Sequence, residues 1–234
     1  MRMIFKLILL VFLSISGKAQ KHETNYWTRY ASGIEFNRLK ISSSLEDRVA
    51  FDGGQRRSLL ANVVLLYKLR KDATIGLGFA HFTTYDDQKN GLSIPELRPF
   101  QQFKLKNSSG NFNFDHRLRA EERFKRDTLG TGRLHSYSYT LRMRYRFELT
   151  WSLIKKQKQK GHFGVQLKDE IFISAGNIAE NYDQNRLYGG FVYQMSKPLG
   201  LEVGYMWVNR NQIDAEDQNI DLVRITIRHD IEFE

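Results

Sequence analysis

Hydrophobic and polar residues alternate with period two through nearly all of the chain after residue 36. This is the pattern of β-strands that present two unlike faces. Residues 137–149 show it most clearly. Tyr137, Tyr139, Leu141, Met143, Tyr145, Phe147 and Leu149 fall on one face, and Ser138, Thr140, Arg142, Arg144, Arg146 and Glu148 on the other. Residues 112–124 and 223–233 repeat the arrangement, and weaker copies cover 38–50, 57–69, 73–85, 95–106, 162–174, 184–196 and 199–209. These stretches run to about 11–15 residues, against about 5–6 for a strand of a globular sheet. A tilted strand that crosses a bilayer needs about 9–11. Length therefore favours a transmembrane barrel over a soluble sandwich, which would also alternate.

Ten strands follow from residue 38 onward, an even number suited to a closed antiparallel barrel. Residues 26–36 would make an eleventh, so they are expected either as an extension packed in or against the barrel or as part of a twelve-strand count. Short connections near 70–72, 107–110 and 197–198 alternate with longer polar ones at 51–56, 86–94, 126–132, 175–183 and 210–217. Bacterial barrels place short turns in the periplasm and longer loops outside, so the second set is expected to be extracellular. The basic segment 150–161 falls on the short side but is long, and reads as a solvated turn. Pro99 cannot donate to a ladder and should sit near a strand end or a bulge. Trp27, Tyr67, Tyr85, Tyr137, Tyr193, Trp207 and Phe233 lie on apolar faces near strand ends, where aromatic girdles form.

The beginning of the chain reads as a secretory signal. Arg2 and Lys6 precede an apolar run from Leu7 to Ile15, and Gly17-Lys18-Ala19 supplies small residues for cleavage before Gln20. Residues 1–19 are thus expected to be removed and 20–234 to form the barrel. Removal takes away three positive charges and no negative ones, so the formal charge falls from +10 to +7. The chain has no cysteine, which excludes disulfides, a thiolate metal site and a Cys nucleophile. A mean hydropathy of −0.50 excludes a polytopic helical membrane protein, and 13% aromatic residues are too many for a disordered basic chain.

The charged strands carry a recognisable order. Glu96-x-Arg98 is followed by His116-Arg117-Leu118-Arg119-Ala120-Glu121-Glu122-Arg123-Phe124 and by Arg142-x-Arg144-Tyr145-Arg146. Glu170, Asn185-Arg186-Leu187-Tyr188 and Gly204-Tyr205-Met206 come later, and Trp27 stands soon after the signal. With these motifs the chain resembles the exported family called domain of unknown function 2490, over nearly all of its mature length. The resemblance implies an outer-membrane β-barrel of Bacteroidota-type bacteria and no particular activity. Ile231-x-Phe233 also resembles the aromatic-ended last strand read by the barrel-assembly machinery during insertion.

The fold expected is all-β, a transmembrane antiparallel up-and-down barrel of about 10–12 strands, set in outer-membrane lipid and lipopolysaccharide. Its polar faces would line the lumen. The candidate charge network is Glu96, Arg98, Arg117, Arg119, Glu121, Arg123, Arg142, Arg144, Arg146, Glu170 and Arg186. Glu46, Arg48, Asp115, Glu148, Lys168, Glu202, Arg228, Asp230 and Glu232 share the same faces. Either the two signs neutralise each other and fill the lumen, as the bidentate guanidinium fork allows, or the Arg excess lines a small anion-selective pore. The function expected is non-enzymatic, a small passive porin-like channel or a structural or binding barrel. The alternative is an outer-membrane lipid-modifying hydrolase. That reading needs a Ser, a His and an acid in reach, and no Ser shares a face two positions from His81, His116 or His229.

Asp86-Asp87 and Asp214-x-Glu216-Asp217 lack a full cation-ligand spacing and read as solvated loop charge. No cofactor-binding motif is present. Nucleic acid is not an expected partner, because the arginines interleave with acids on the enclosed face.

Overall fold

The computed structural model describes residues 21–86, 91–154, 161–175, 182–211 and 217–233. The leader read at 1–19 and the lysine-rich run at 155–160 lie outside them. Eleven strands form one closed barrel. They are β1 (Lys21–Phe36), β2 (Leu39–Ala50), β3 (Arg56–Lys68), β4 (Ala73–Asp86), β5 (Leu92–Ser109), β6 (Phe112–Leu129), β7 (Gly132–Ile154), β8 (His162–Ala175), β9 (Tyr182–Gln194), β10 (Leu199–Arg210) and β11 (Gln218–Phe233).

The ten strands expected from residue 38 onward all form, and residues 26–36 belong to β1, a full wall strand. It is neither a packed extension nor part of a twelve-strand count. Hairpin-linked strands alternate in direction, so the first and last of an odd set must run the same way. Accordingly β1 pairs antiparallel with β2 and parallel with β11, in a register from Lys21 opposite Gln218 to Phe36 opposite Phe233. The alternation of β1 is muted because Ala31 and Gly33 occupy inward positions while Thr28 and Ser32 stand outside among Tyr26, Tyr30 and Ile34. Gly33 is small for a reason: a Cβ there would meet the Asp230 carboxylate and the Lys40 side chain, which pair at 2.6 Å.

One rim carries the connections 37–38, 69–72, 110–111, 155–161 and 195–198. The opposite rim carries 51–55, 87–91, 130–131, 176–181 and 211–217. The expected loop at 126–132 is instead a continuation of the ladder. Thr128 pairs with Arg133 past a bulge at 126–128, and the turn is closed by Gly130 at φ 57°. Stacking of Arg126 on the Tyr137 ring and a hydrogen bond from Ser138 to Asp127 hold this projecting hairpin together. At the other rim, Arg70 donates two hydrogen bonds to Asp72 and holds its carboxyl below the usual range.

Pro99 lies in the middle of β5, not at its end. Its lack of an N–H coincides with a gap in the β5–β6 ladder between the pairs Leu97–Phe124 and Phe100–Glu121, while its other edge stays paired with Phe79 of β4.

The exterior is apolar around the wall, with Leu77 67% and Phe191 56% exposed and Ile41, Leu118, Tyr145, Ile173 and Tyr205 similarly bare. Of the aromatics expected outside, Tyr67, Tyr137 and Tyr193 are exposed there. Trp27 corrects the expectation, since it is buried inside with Tyr188, Met206, Val208, Ile220 and Leu222. A second inner apolar patch joins Val64, Leu66, Ala80 and Phe100.

Inward glycines make room for these rings. A Cβ on Gly78 would stand 2.2 Å from Phe100, and one on Gly204 would stand 2.5 Å from the Gly189 carbonyl oxygen and 2.6 Å from the Tyr188 ring. A Cβ on outward Gly189 meets nothing closer than Leu167 at 3.6 Å. Gly204→Ala is therefore expected to cost about 1–3 kcal/mol, the usual penalty of overpacking. Gly189→Ala is expected to cost almost nothing. Urea titration of the folded band on unheated gels compares the two, and equal midpoints would contradict the packing argument.

Candidate functional site

The inward charges concentrate on β5, β6, β7, β8 and β9. The β6–β7 register sets arginine directly opposite arginine, Arg117 beside Arg146 and Arg119 beside Arg144. Like charges in such cross-strand pairs repel. The sheet tolerates them because Glu121 and Glu170 reach into the gaps. Glu121 accepts from Arg142 at 2.6 Å and from Arg144 at 2.5 Å, and lies 3.4 Å from Arg119. Glu170 accepts from Arg117 at 2.5 Å and from Arg144 at 2.8 Å. Arg144 thus bridges the two carboxylates. Arg146 takes Glu148 at 3.2 Å and Asp115 at 3.9 Å.

Glu96 accepts a two-pronged contact from Arg98, at 2.8 and 3.0 Å, and a second from Arg123. Asp183 joins this group to the first through Arg123 at 3.7 Å and Arg142 at 3.1 Å. A continuous chain of ion pairs therefore runs from Glu96 to Arg117 across five strands. Ten of the eleven candidate residues belong to ion pairs of this kind. Arg186, the eleventh, lines the same space, but among the described residues no carboxylate ion-pairs with it. Its guanidinium lies over Phe172 at 4.6 Å and near Trp27 at 5.3 Å.

Aromatic stacking is the part that period-two reading did not reveal. Arg48 lies 3.9 Å over Trp27, Arg98 4.1 Å over Phe82, Arg119 4.0 Å over Phe100 and Arg144 4.4 Å over Phe172. A weakly hydrated guanidinium gains from an aromatic face, so each cation has a ring on one side and an acid on another. Asp183 and Arg224, the latter 3.2 Å from Glu46, are further members missed in the sequence. Asp183 is the last residue of the expected loop 175–183 but stands in β9, and Arg224 stands on a polar face whose depth periodicity does not give.

The network divides the interior. A cavity of about 390 Å³ lies toward the rim carrying 51–55 and 211–217, and another of about 240 Å³ lies toward the opposite rim. They share no lining residue. Glu121, Glu170, Arg144, Phe100 and Phe172 stand between them, and Phe172 is 0% and Glu121 2% exposed. The first vestibule is bordered by eight basic residues against three acidic ones, the second by eight against four. On the outer wall, His116 shares a hydrogen bond with the Tyr145 hydroxyl and His229 with that of Tyr30. Among the described residues no group of three His, Cys, Asp or Glu side chains has metal-site geometry. Asp87, Asp214 and Glu216 lie outside those residues.

A family model described as "Protein of unknown function (DUF2490)" matches residues 24–219. A solved structure titled as the NanC porin in a rhombohedral crystal form is similar, with 13% identity and a TM-score of 0.46 over 88% of this chain and 99% of that one. No curated protein matches the chain.

Proposed function

The chain belongs to the family described as protein of unknown function (DUF2490), and on that footing we propose that it is a non-enzymatic outer-membrane barrel, exported by a cleaved signal at residues 1–19. Its lumen is held shut at mid-height by ion pairs. The barrel stands in outer-membrane lipid and lipopolysaccharide, with the rim carrying 51–55 and 211–217 outside. An apolar belt right around the exterior supports the membrane setting, because a wall of this extent is not left bare in water. Placement by the barrel-assembly machinery is part of the same reading.

The observation that carries the reading is the separation of the two vestibules by the Glu121–Arg144–Glu170 layer. Burying these charges is tolerable only where each is paired and hydrogen-bonded, and the layer meets that condition while the two vestibules share no lining residue. The site residues act here as a closure and as the lining of two cationic vestibules, a binding or structural barrel instead of an open passive channel.

The refolded protein in planar bilayers is expected to give no conductance steps above background. Reproducible steps that shrink with Arg117→Ala would establish an Arg-lined open pore and overturn the closed-barrel reading.

A further inference from the structure

The vestibule nearest the 51–55 rim has an arrangement that a structural lining does not require. Its cations are not equally satisfied. Arg98 is held by Glu96, Arg142 by Glu121 and Asp183, and Arg48 by Glu46 at 2.7 Å. Arg186 stands among them against two aromatic rings, its only described polar partner being the Gln184 side-chain oxygen at 2.8–3.1 Å. With the Gln184 amide turned so that its oxygen faces Arg186, it accepts from Nε and Nη2, and the remaining guanidinium donors are left for a ligand. On the same wall the Asn25 Oδ1 is buried with no hydrogen-bond partner. A buried acceptor without a donor is costly, and here it borders a cavity of about 390 Å³, ample for a small solute.

We propose that this vestibule is a binding site for a small anion, a carboxylate or phosphate that carries a hydroxyl: Arg186 takes the anionic group and Asn25 accepts from the hydroxyl. The inference rests on the closed-barrel reading only for its dead end. A solute entering from the rim meets the Glu121–Arg144–Glu170 layer and stops, so the site holds its ligand instead of passing it on. Arg48, Arg98, Arg123 and Arg142 add field without competing for the ligand, since each of these four is already engaged by an acid. Excess positive charge in a narrow, low-dielectric mouth concentrates anions there.

Trp27, which borders the cavity beside Arg48 and Arg186, provides the readout. With Trp151→Phe and Trp207→Phe, Trp27 is the single tryptophan of the chain. In a zwitterionic detergent its fluorescence is quenched by iodide, and inorganic phosphate, glycolate and acetate are added as competitors. Phosphate or glycolate is expected to relieve the iodide quenching saturably, and acetate, which has no hydroxyl, more weakly. Relief by one of the first two alone supports the proposal and identifies the acid group.

Arg186→Gln is expected to lower the iodide quenching constant about two-fold or more and to abolish the relief. Arg186→Lys should keep the attraction and lose the relief, because an ammonium lacks the two-pronged fork. Lys104→Gln, in the other vestibule, should change neither. A heat-modifiable gel band shows that each variant is folded. Absence of relief by both phosphate and glycolate, or relief undiminished in folded Arg186→Gln, would overturn the site. Conductance steps would sink the closed barrel while leaving an anion site at Arg186 standing, so the two failures are distinct.

Discussion

Glu121→Ala is expected to remove about 3–5 kcal/mol of stability, the scale seen when one partner of a buried ion pair is deleted and the other is left uncompensated. Glu121 is 2% exposed and touches three guanidinium groups, those of Arg119, Arg142 and Arg144. Arg142 retains Asp183 and Arg144 retains Glu170, but Arg119 keeps only the neutral Gln102 oxygen at 2.8 Å. It would then face Arg144 across the β6–β7 pair with no acid between them. Urea titration of the folded band measures the loss. Asp72→Asn removes a carboxylate of the same chain from a solvated turn and is expected to leave the midpoint unmoved, because exposed pairs contribute little. A Glu121 variant as stable as the parent would mean that the layer is loosely built and hydrated.

Arg144→Ala is expected to turn a silent barrel into a conducting one. This side chain is the sole described bridge between Glu121 and Glu170, and it lies over Phe172 at the level where the two vestibules end. Its loss leaves each carboxylate with other arginines, Glu121 with Arg142 and Arg119, and Glu170 with Arg117. The barrel should therefore remain folded while its closure is breached. Discrete steps in planar bilayers, with anions more permeant than cations because both vestibules are cationic, are the expected record. A variant that folds and stays silent would place the barrier in the apolar rings, Phe100 and Phe172.

The fold was legible because period-two alternation reports which side of a wall a residue occupies, and ten strands carried it strongly enough to be placed within a few residues. The candidate charges were legible for the same reason. Glu121 and Arg144 stand on polar faces of adjacent strands, and their opposition needed only the register. Three features escaped. β1 was hidden by Ala31, Gly33, Thr28 and Ser32, whose size and polarity blur the two faces although the backbone is as extended as its neighbours. Trp27 reads as an outside residue because rings favour the interface, whereas here the ring serves as the stacking partner of inward arginines, a role that depends on strands distant in sequence. The projecting β6–β7 hairpin reads as a loop because Arg126, Asp127 and Thr128 put polar side chains on both faces ahead of Gly130 and Gly132, which suits a ladder above the apolar belt.

The parallel pairing of β1 with β11 has a consequence for how the two ends of the polypeptide can be used. The strands begin together at Lys21 and Gln218 and finish together at Phe36 and Phe233, so the start of the first strand and the finish of the last lie at opposite rims. In an even barrel a few residues could join them and the chain could be reopened at another hairpin. Here any such link must travel the height of the wall, about 3.3 Å for each residue of strand. An affinity tag ahead of β1 and one behind β11 would accordingly report on different sides of the same barrel.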